Sequence, residues 1–205
     1  MQQPNRIFDL ITYQSEKFKS LDIFSRKLEN QWKGVSTKQV EDEVNKLSLA
    51  LMDLGIQKGE KVGLISENRL EWNLFDFAIQ QIGAVVVAIY PNISDSDYTH
   101  ILNHAEIRFC FVSTDTLYYK IAALVEKIPD LKKIFTINSY DLLPSYAELL
   151  NKNNHTIDQL NVVKASVDKS DLATIIYTSG TSGTPKGVML SHKNLLADMM
   201  SSEYS

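Results

Sequence analysis

Ile175-Ile176-Tyr177-Thr178-Ser179-Gly180-Thr181-Ser182-Gly183-Thr184-Pro185-Lys186-Gly187-Val188-Met189 is an apolar run that breaks off into residues that are all hydroxyl-bearing or glycine, Thr178 to Thr184, and resumes after Pro-Lys-Gly. The pattern predicts a strand, a loop and a second strand. Glycines let backbone N–H groups turn toward a ligand, small hydroxyls add donors without bulk, and a lysine adds full positive charge, so the loop is suited to surround an anion such as phosphate. It is not the common P-loop, in which Gly-Lys is followed by Ser or Thr five residues after the first glycine. Counting from Gly180 lands on Pro185, and Lys186 is followed by Gly187. A flexible Ser/Thr/Gly linker would share the composition. Linkers rarely sit between two strand-like runs with Pro-Lys-Gly punctuation, which favours the phosphate loop.

The chain around this stretch has 205 residues, 44% of them apolar, which is enough to bury a real core. Its net charge of −4, with acids and lysines interspersed, offers no basic stripe for nucleic acid and points to small-molecule partners. The single cysteine, Cys110, lies in an apolar run and can form no internal disulfide, which favours a cytoplasmic setting. Met1 to Ser15 lacks the basic-then-apolar order of a signal peptide. The longest apolar stretch, Ile82 to Tyr90, is about half the ~18 residues that suggest a membrane span.

Along the chain, Ile7, Leu10, Ile11 and Phe18 predict a short helix over Arg6 to Phe18, and Leu21 to Ser36 suggests a hairpin turning at Glu29-Asn30. Ser36 and Gln39 form a capping-box signal ahead of Val40, Val44, Leu47, Leu51 and Leu54, a helix that Gly55 ends. Strands are then predicted at Lys61–Ile65, Ala84–Tyr90, Ile107–Ser113 and Lys133–Ile137. Helices alternate with them, over Leu70–Ile82, from Ser94 to His104, and over Thr116–Ile128. This alternation implies parallel β-α units, hence an α/β fold with a mostly parallel sheet. Leu142–Leu150 suggests a short helix, and the polar, asparagine-rich Asn151–Ser170 reads as a connector without clear period. Asp171–Thr178 enters the opening loop as a strand, Gly187–Ser191 leaves it as another, and Lys193–Met200 begins a helix.

The run Tyr177 to Val188 resembles the phosphate-loop signature of the adenylate-forming superfamily, the AMP-forming acyl-CoA synthetases and their relatives. Ser191-His192-Lys193-Asn194-Leu195, Val62 to Arg69, Gly83 to Pro91 and Tyr98 to His104 are similar to the matching segments. Ile89-Tyr90-Pro91 points to the long-chain fatty acid branch. The resemblance implies a reaction in which a fatty carboxylate attacks the α-phosphate of ATP, giving acyl-adenylate and pyrophosphate, and coenzyme A then displaces AMP. ATP, Mg2+ and coenzyme A are the implied substrates and cofactor. It also implies that Thr178, Ser179, Thr181, Ser182 and Thr184 contact the β- and γ-phosphates, that Gly180 and Gly183 allow close approach, and that Lys186 is the charge partner. For any one hydroxyl the alternative is a bond that only folds the loop on itself.

Those enzymes are far longer than 205 residues, so the chain is expected to be an N-terminal portion of the AMP-binding domain. The expected parts are a helix and hairpin over 1–36, an alternating β/α subdomain over 37–150, the connector 151–170, and the phosphate loop with the start of the next subdomain over 171–205. The Tyr-Gly-x-Thr-Glu motif and the C-terminal domain with its catalytic lysine lie outside it, so the portion alone is expected to be inactive and to self-associate through exposed strand edges. Two alternatives are a non-catalytic nucleotide-binding module and an adenylating enzyme for another carboxylic acid. Peripheral membrane association is compatible with the sequence.

His100 and His104 stand at i and i+4 on a helix, a spacing that can grip zinc, but no Cys or carboxylate cluster is near in sequence and a surface or packing role is expected. His155 is expected to be solvated, and His192 to orient the loop or cap the helix after it. Trp32, Trp72, Tyr118 and Tyr119 are expected in the core.

Overall fold

The computed structural model describes residues 3–17, 24–28, 31–151, 154–179 and 183–202. The first elements are α1 (Asp9–Lys17) and an antiparallel hairpin of β1 (Phe24–Leu28) and β2 (Gln31–Val35). Next comes α2 (Thr37–Asp53), whose first turn is closed by both bonds of a capping box: the Ser36 hydroxyl accepts from Gln39 N–H while the Gln39 side chain accepts from Ser36 N–H.

The body of the protein is a six-stranded sheet made by β3 (Lys61–Ile65), β4 (Val85–Ile89), β5 (Phe109–Val112), β6 (Lys133–Thr136), β7 (Leu172–Ser179) and β8 (Pro185–Ser191), in the spatial order β6-β5-β3-β4-β7-β8. All pairs are parallel except β7 with β8, which is antiparallel. The apolar runs of β3 to β5 carry no polar face because both faces are covered. Val62, Leu64, Val86, Phe109 and Phe111 pack under α2 and α3 (Leu70–Gln81), while Ile65, Val87, Ile89, Cys110 and Val112 pack under α4 (Asp95–His104) and α5 (Asp115–Ala122). Strand alternation thus sorts one sequence into two cores. Cys110 is fully buried, as its apolar neighbours suggested, and burial pushes its thiol up to about 12. Gly83 closes α3 at a φ of +72°, and a Cβ there would stand 2.9 Å from Lys58 Cγ.

Several sequence expectations need correction. Asn151–Ser170 is not all connector: α7 (Ile157–Ala165) lies inside it, started by a second capping box, Thr156 with Gln159. Only Leu160 of this helix is fully buried and Val162 is 72% exposed, so its apolar residues mark no clean stripe. The helix expected over Thr116–Ile128 stops at Ala122 and a 3₁₀ turn, Val125–Lys127, follows. The short helix expected over Leu142–Leu150 is α6 (Tyr146–Leu149). Trp32 and Tyr119 are exposed rather than core. His155 is not simply solvated, since its Nδ1 pairs with the Asp53 carboxylate. The turn at Glu29-Asn30 lies outside the described residues.

Candidate phosphate-binding site

The site forms where the sheet changes direction. β7 pairs with β4 through Val86–Thr174, Val87–Ile175 and Ala88–Ile176, which carries its C-terminal end past the end of β4. The chain then returns as β8 in antiparallel register, with Ile176 opposite Val188, Tyr177 opposite Gly187, Thr178 opposite Lys186, and Ser179 opposite Pro185 as the closing pair. Strand alternation places Thr178 and Lys186 on one face, together with Ile176 and Val188. Thr178, Gly183, Thr184 and Lys186 are all exposed, and Gly183 adopts a φ of +81°. Gly180, Thr181 and Ser182 lie outside the described residues, as does the Ser179 side chain. Of the predicted site residues, the structure therefore brings together Thr178 and Lys186 across one strand pair and sets Gly183 and Thr184 just before Pro185.

The opposite face of the hairpin is held by α4. Tyr177 packs its ring over Gly187, and its hydroxyl reaches His104 Nδ1 at 2.7 Å. His100 Nε2 lies 3.0 Å from the carbonyl oxygen of Pro185. The two imidazoles stack on each other and both meet the Tyr177 ring edge-on. Burial raises the Tyr177 phenol above its ordinary value, which keeps it a neutral hydroxyl. Sequence reasoning left these histidines without a partner. The only available signal was their i, i+4 spacing, which places both rings on one helix face.

His192, expected at the loop or as a helix cap, does neither. It begins α8 (His192–Ser202), but the capping bonds there run between Ser191 and Asn194. The imidazole is buried, its Nδ1 accepts from Ile7 N–H at 3.3 Å, and the Phe8 ring meets it edge-on. Burial, with the nearby positive charge of Arg6, lowers it to about 4, so it is neutral and able to accept. Arg6 itself pairs with Asp9 and donates to the carbonyls of Lys164, in the last turn of α7, and of Val167 just past it. The segment before α1 is thereby tied to the far end of β8.

Beside the loop, a groove of about 440 Å³ runs between the end of β4, α4 and the hairpin, lined by Ala88, Ile93, Ile101, Ile176 and Pro185 with Asp97 as its one carboxylate. Among the described residues no group of three His, Cys, Asp or Glu side chains converges. The described loop offers backbone N–H groups, hydroxyls and an ammonium, a donor set that suits phosphate oxygens rather than a metal ion.

The model of the AMP-binding enzyme family matches residues 13–205, nearly the whole chain. The chain belongs to the AMP-binding enzyme family. Among curated AMP-binding relatives, a long-chain-fatty-acid–CoA ligase of Mycobacterium bovis is 32% identical over 179 residues, covering 86% of this chain and 30% of that protein. A fatty acyl-CoA synthetase A of Dictyostelium discoideum is 32% identical over 188 residues, covering 85% of this chain and 27% of that one. The chain thus spans about a third or less of the curated relatives it matches. A solved long-chain-fatty-acid–CoA ligase from Archaeoglobus fulgidus superposes with a TM-score of 0.78 at 25% identity, over 98% of this chain and 39% of that one. An anthranilate CoA ligase in complex with anthranoyl-AMP shares the fold, with a TM-score of 0.75 at 24% identity, over 94% of this chain and 36% of that one. The α/β architecture, a mostly parallel sheet flanked by helices, is that of these AMP-binding enzymes. No described helix is long and apolar enough to cross a membrane.

Proposed function

We propose that this chain contributes the phosphate-binding loop of an AMP-forming acid–thiol ligase that activates long-chain fatty acids with ATP and transfers the acyl group to coenzyme A. The observation that carries the reading is the β7–β8 hairpin, which presents Thr178 and Lys186 side by side on an open face. The long-chain fatty acid ligases among its relatives support the choice of substrate. In this reading Thr178, Ser179, Thr181, Ser182 and Thr184 donate to the β- and γ-phosphates while Gly180 and Gly183 admit them closely. Lys186 neutralises the charge that grows on pyrophosphate as the carboxylate attacks the α-phosphate. Donors fixed before the reaction stabilise that charge without reorganisation, and the loop needs no nucleophile. Magnesium would supply further charge neutralisation on the phosphates, from ligands other than the described loop residues.

These 205 residues hold no Tyr-Gly-x-Thr-Glu sequence, and on this reading they turn over nothing by themselves. The protein to assay is therefore the product of the whole reading frame that carries this sequence. Fatty-acid-dependent exchange of labelled pyrophosphate into ATP is the expected result. Exchange driven by amino or aryl acids alone would overturn the substrate class. ATP binding without exchange for any acid would favour a non-catalytic nucleotide-binding module.

A further inference from the structure

We propose that His100 and His104 are positioning residues that lock the two stems of the phosphate loop to α4 and so set the spacing of Thr178 and Lys186. The inference rests on the ligase reading for its functional half. Each imidazole takes a different stem. His104 Nδ1 lies 2.7 Å from the Tyr177 hydroxyl on β7, and His100 Nε2 lies 3.0 Å from the Pro185 carbonyl on β8. A carbonyl oxygen can only accept, so His100 carries its hydrogen on Nε2. The rings stack with centroids 5.4 Å apart, so the helix presents one rigid unit to both strands.

The lock acts directly behind the ligand face. Tyr177 and Thr178 are adjacent on β7, as are Pro185 and Lys186 on β8, and alternation points each neighbour to the opposite side of the hairpin. Holding residues 177 and 185 from α4 therefore fixes where 178 and 186 stand on the other side. Gly187 completes the arrangement, because a Cβ there would stand 3.2 Å from Tyr177 Cζ, and the ring must cross β8 to reach the helix. Among the described residues β8 has no strand partner on its far side, so the antiparallel ladder alone would not stop this stem from bending. A shift of about 1 Å in such a cradle can cost on the order of 10²-fold in rate.

The test uses the whole-frame protein with His100→Ala, His100→Gln, His104→Ala, His104→Asn, Tyr177→Phe and the double variant His104→Ala with Tyr177→Phe. Glutamine returns an amide N–H near the Nε2 position of residue 100, and asparagine returns an acceptor near the Nδ1 position of residue 104. In pyrophosphate exchange the alanine variants should lose about 10-fold in kcat with the fatty acid KM unchanged. Glutamine and asparagine should recover most of that loss, and the double variant should be no worse than either single one.

Amide hydrogen exchange at Lys186 and Gly187, the residues that follow Pro185 on the stem, supplies a readout that needs no activity. It should quicken in the alanine variants and return toward wild type in the conservative ones. Unchanged amide exchange overturns the lock outright. Faster amide exchange with unchanged kcat overturns its role in catalysis. Loosened amides in a protein whose wild type exchanges no pyrophosphate overturn the ligase reading and leave the lock standing.

Discussion

Tyr177 lies across Gly187 of the neighbouring strand so closely that a Cβ on residue 187 would stand 3.2 Å from its Cζ and 2.9 Å from Ile175 Cγ2. Ile175 is buried and β-branched, so it cannot swing aside cheaply. Gly187→Ala is therefore expected to cost about 1–3 kcal/mol, the range for overpacking a close-packed site. Urea denaturation of wild type and variant measures it. Equal midpoints would mean that the hairpin moves to absorb a methyl.

Lys186 is exposed and faces the same side as Thr178, so its removal takes away charge and little packing. Lys186→Ala should leave stability within about 0.5 kcal/mol. In the whole-frame protein, on the ligase reading, it should slow pyrophosphate release on the order of 10²-fold, as the loss of a preorganised transition-state donor does. A rate equal to wild type would remove Lys186 from the site.

His192 gives a pH dependence with a definite sign. Burial lowers the imidazole from 6.5 to about 4 in the folded protein, while the unfolded chain protonates near its ordinary value. The unfolded state binds the extra proton between these values, so stability is whole above about pH 6.5 and falls as pH drops toward 4, by up to about 3 kcal/mol. His192→Gln has no such proton. Its stability relative to wild type should rise between pH 7 and pH 4.5 in a denaturation series, and a difference that stays flat would contradict the buried neutral state.

Asp76 has the opposite sign. Burial raises this carboxyl to about 6, although the Gln80 side-chain amide donates to it. The neutral acid is the form the fold prefers, so its contribution is complete below about pH 3.8 and is lost as pH rises through 6. Asp76→Asn keeps the acceptor for Gln80 and removes the charge. The variant should be more stable than wild type at pH 8, by up to about 3 kcal/mol, and match it near pH 4. Parity at pH 8 would show that the ionised carboxylate reaches water.

The parallel body of the fold is legible because its signals are local. Ser36 with Gln39 announces α2, and the unbroken runs around Val62, Val86 and Phe111 announce strands buried on both sides. α7 carries the same kind of start signal in Thr156 and Gln159, but Ile157 and Val162 face solvent, so periodicity gives no support. In the site, hydroxyls, glycines and Lys186 advertise an anion loop from composition alone. What holds that loop is invisible in the chain order. Tyr177 meets His104 across 73 residues, and no spacing rule connects them.

The bond from Ile7 N–H to His192 joins residues 185 positions apart. During synthesis from the N-terminus, β3, β5 and β6 have their strand partners in hand long before residue 192 exists. The segment before α1 must wait for the last of the hairpin, and contacts of such separation form late because closing the intervening chain costs entropy before any contact rewards it. The β7–β8 hairpin and the N-terminal strap that ties down its exit strand should therefore mature together, after the parallel strands beside them. A variant that loosens the strap, such as Phe8→Ala, should slow that step while leaving early collapse untouched.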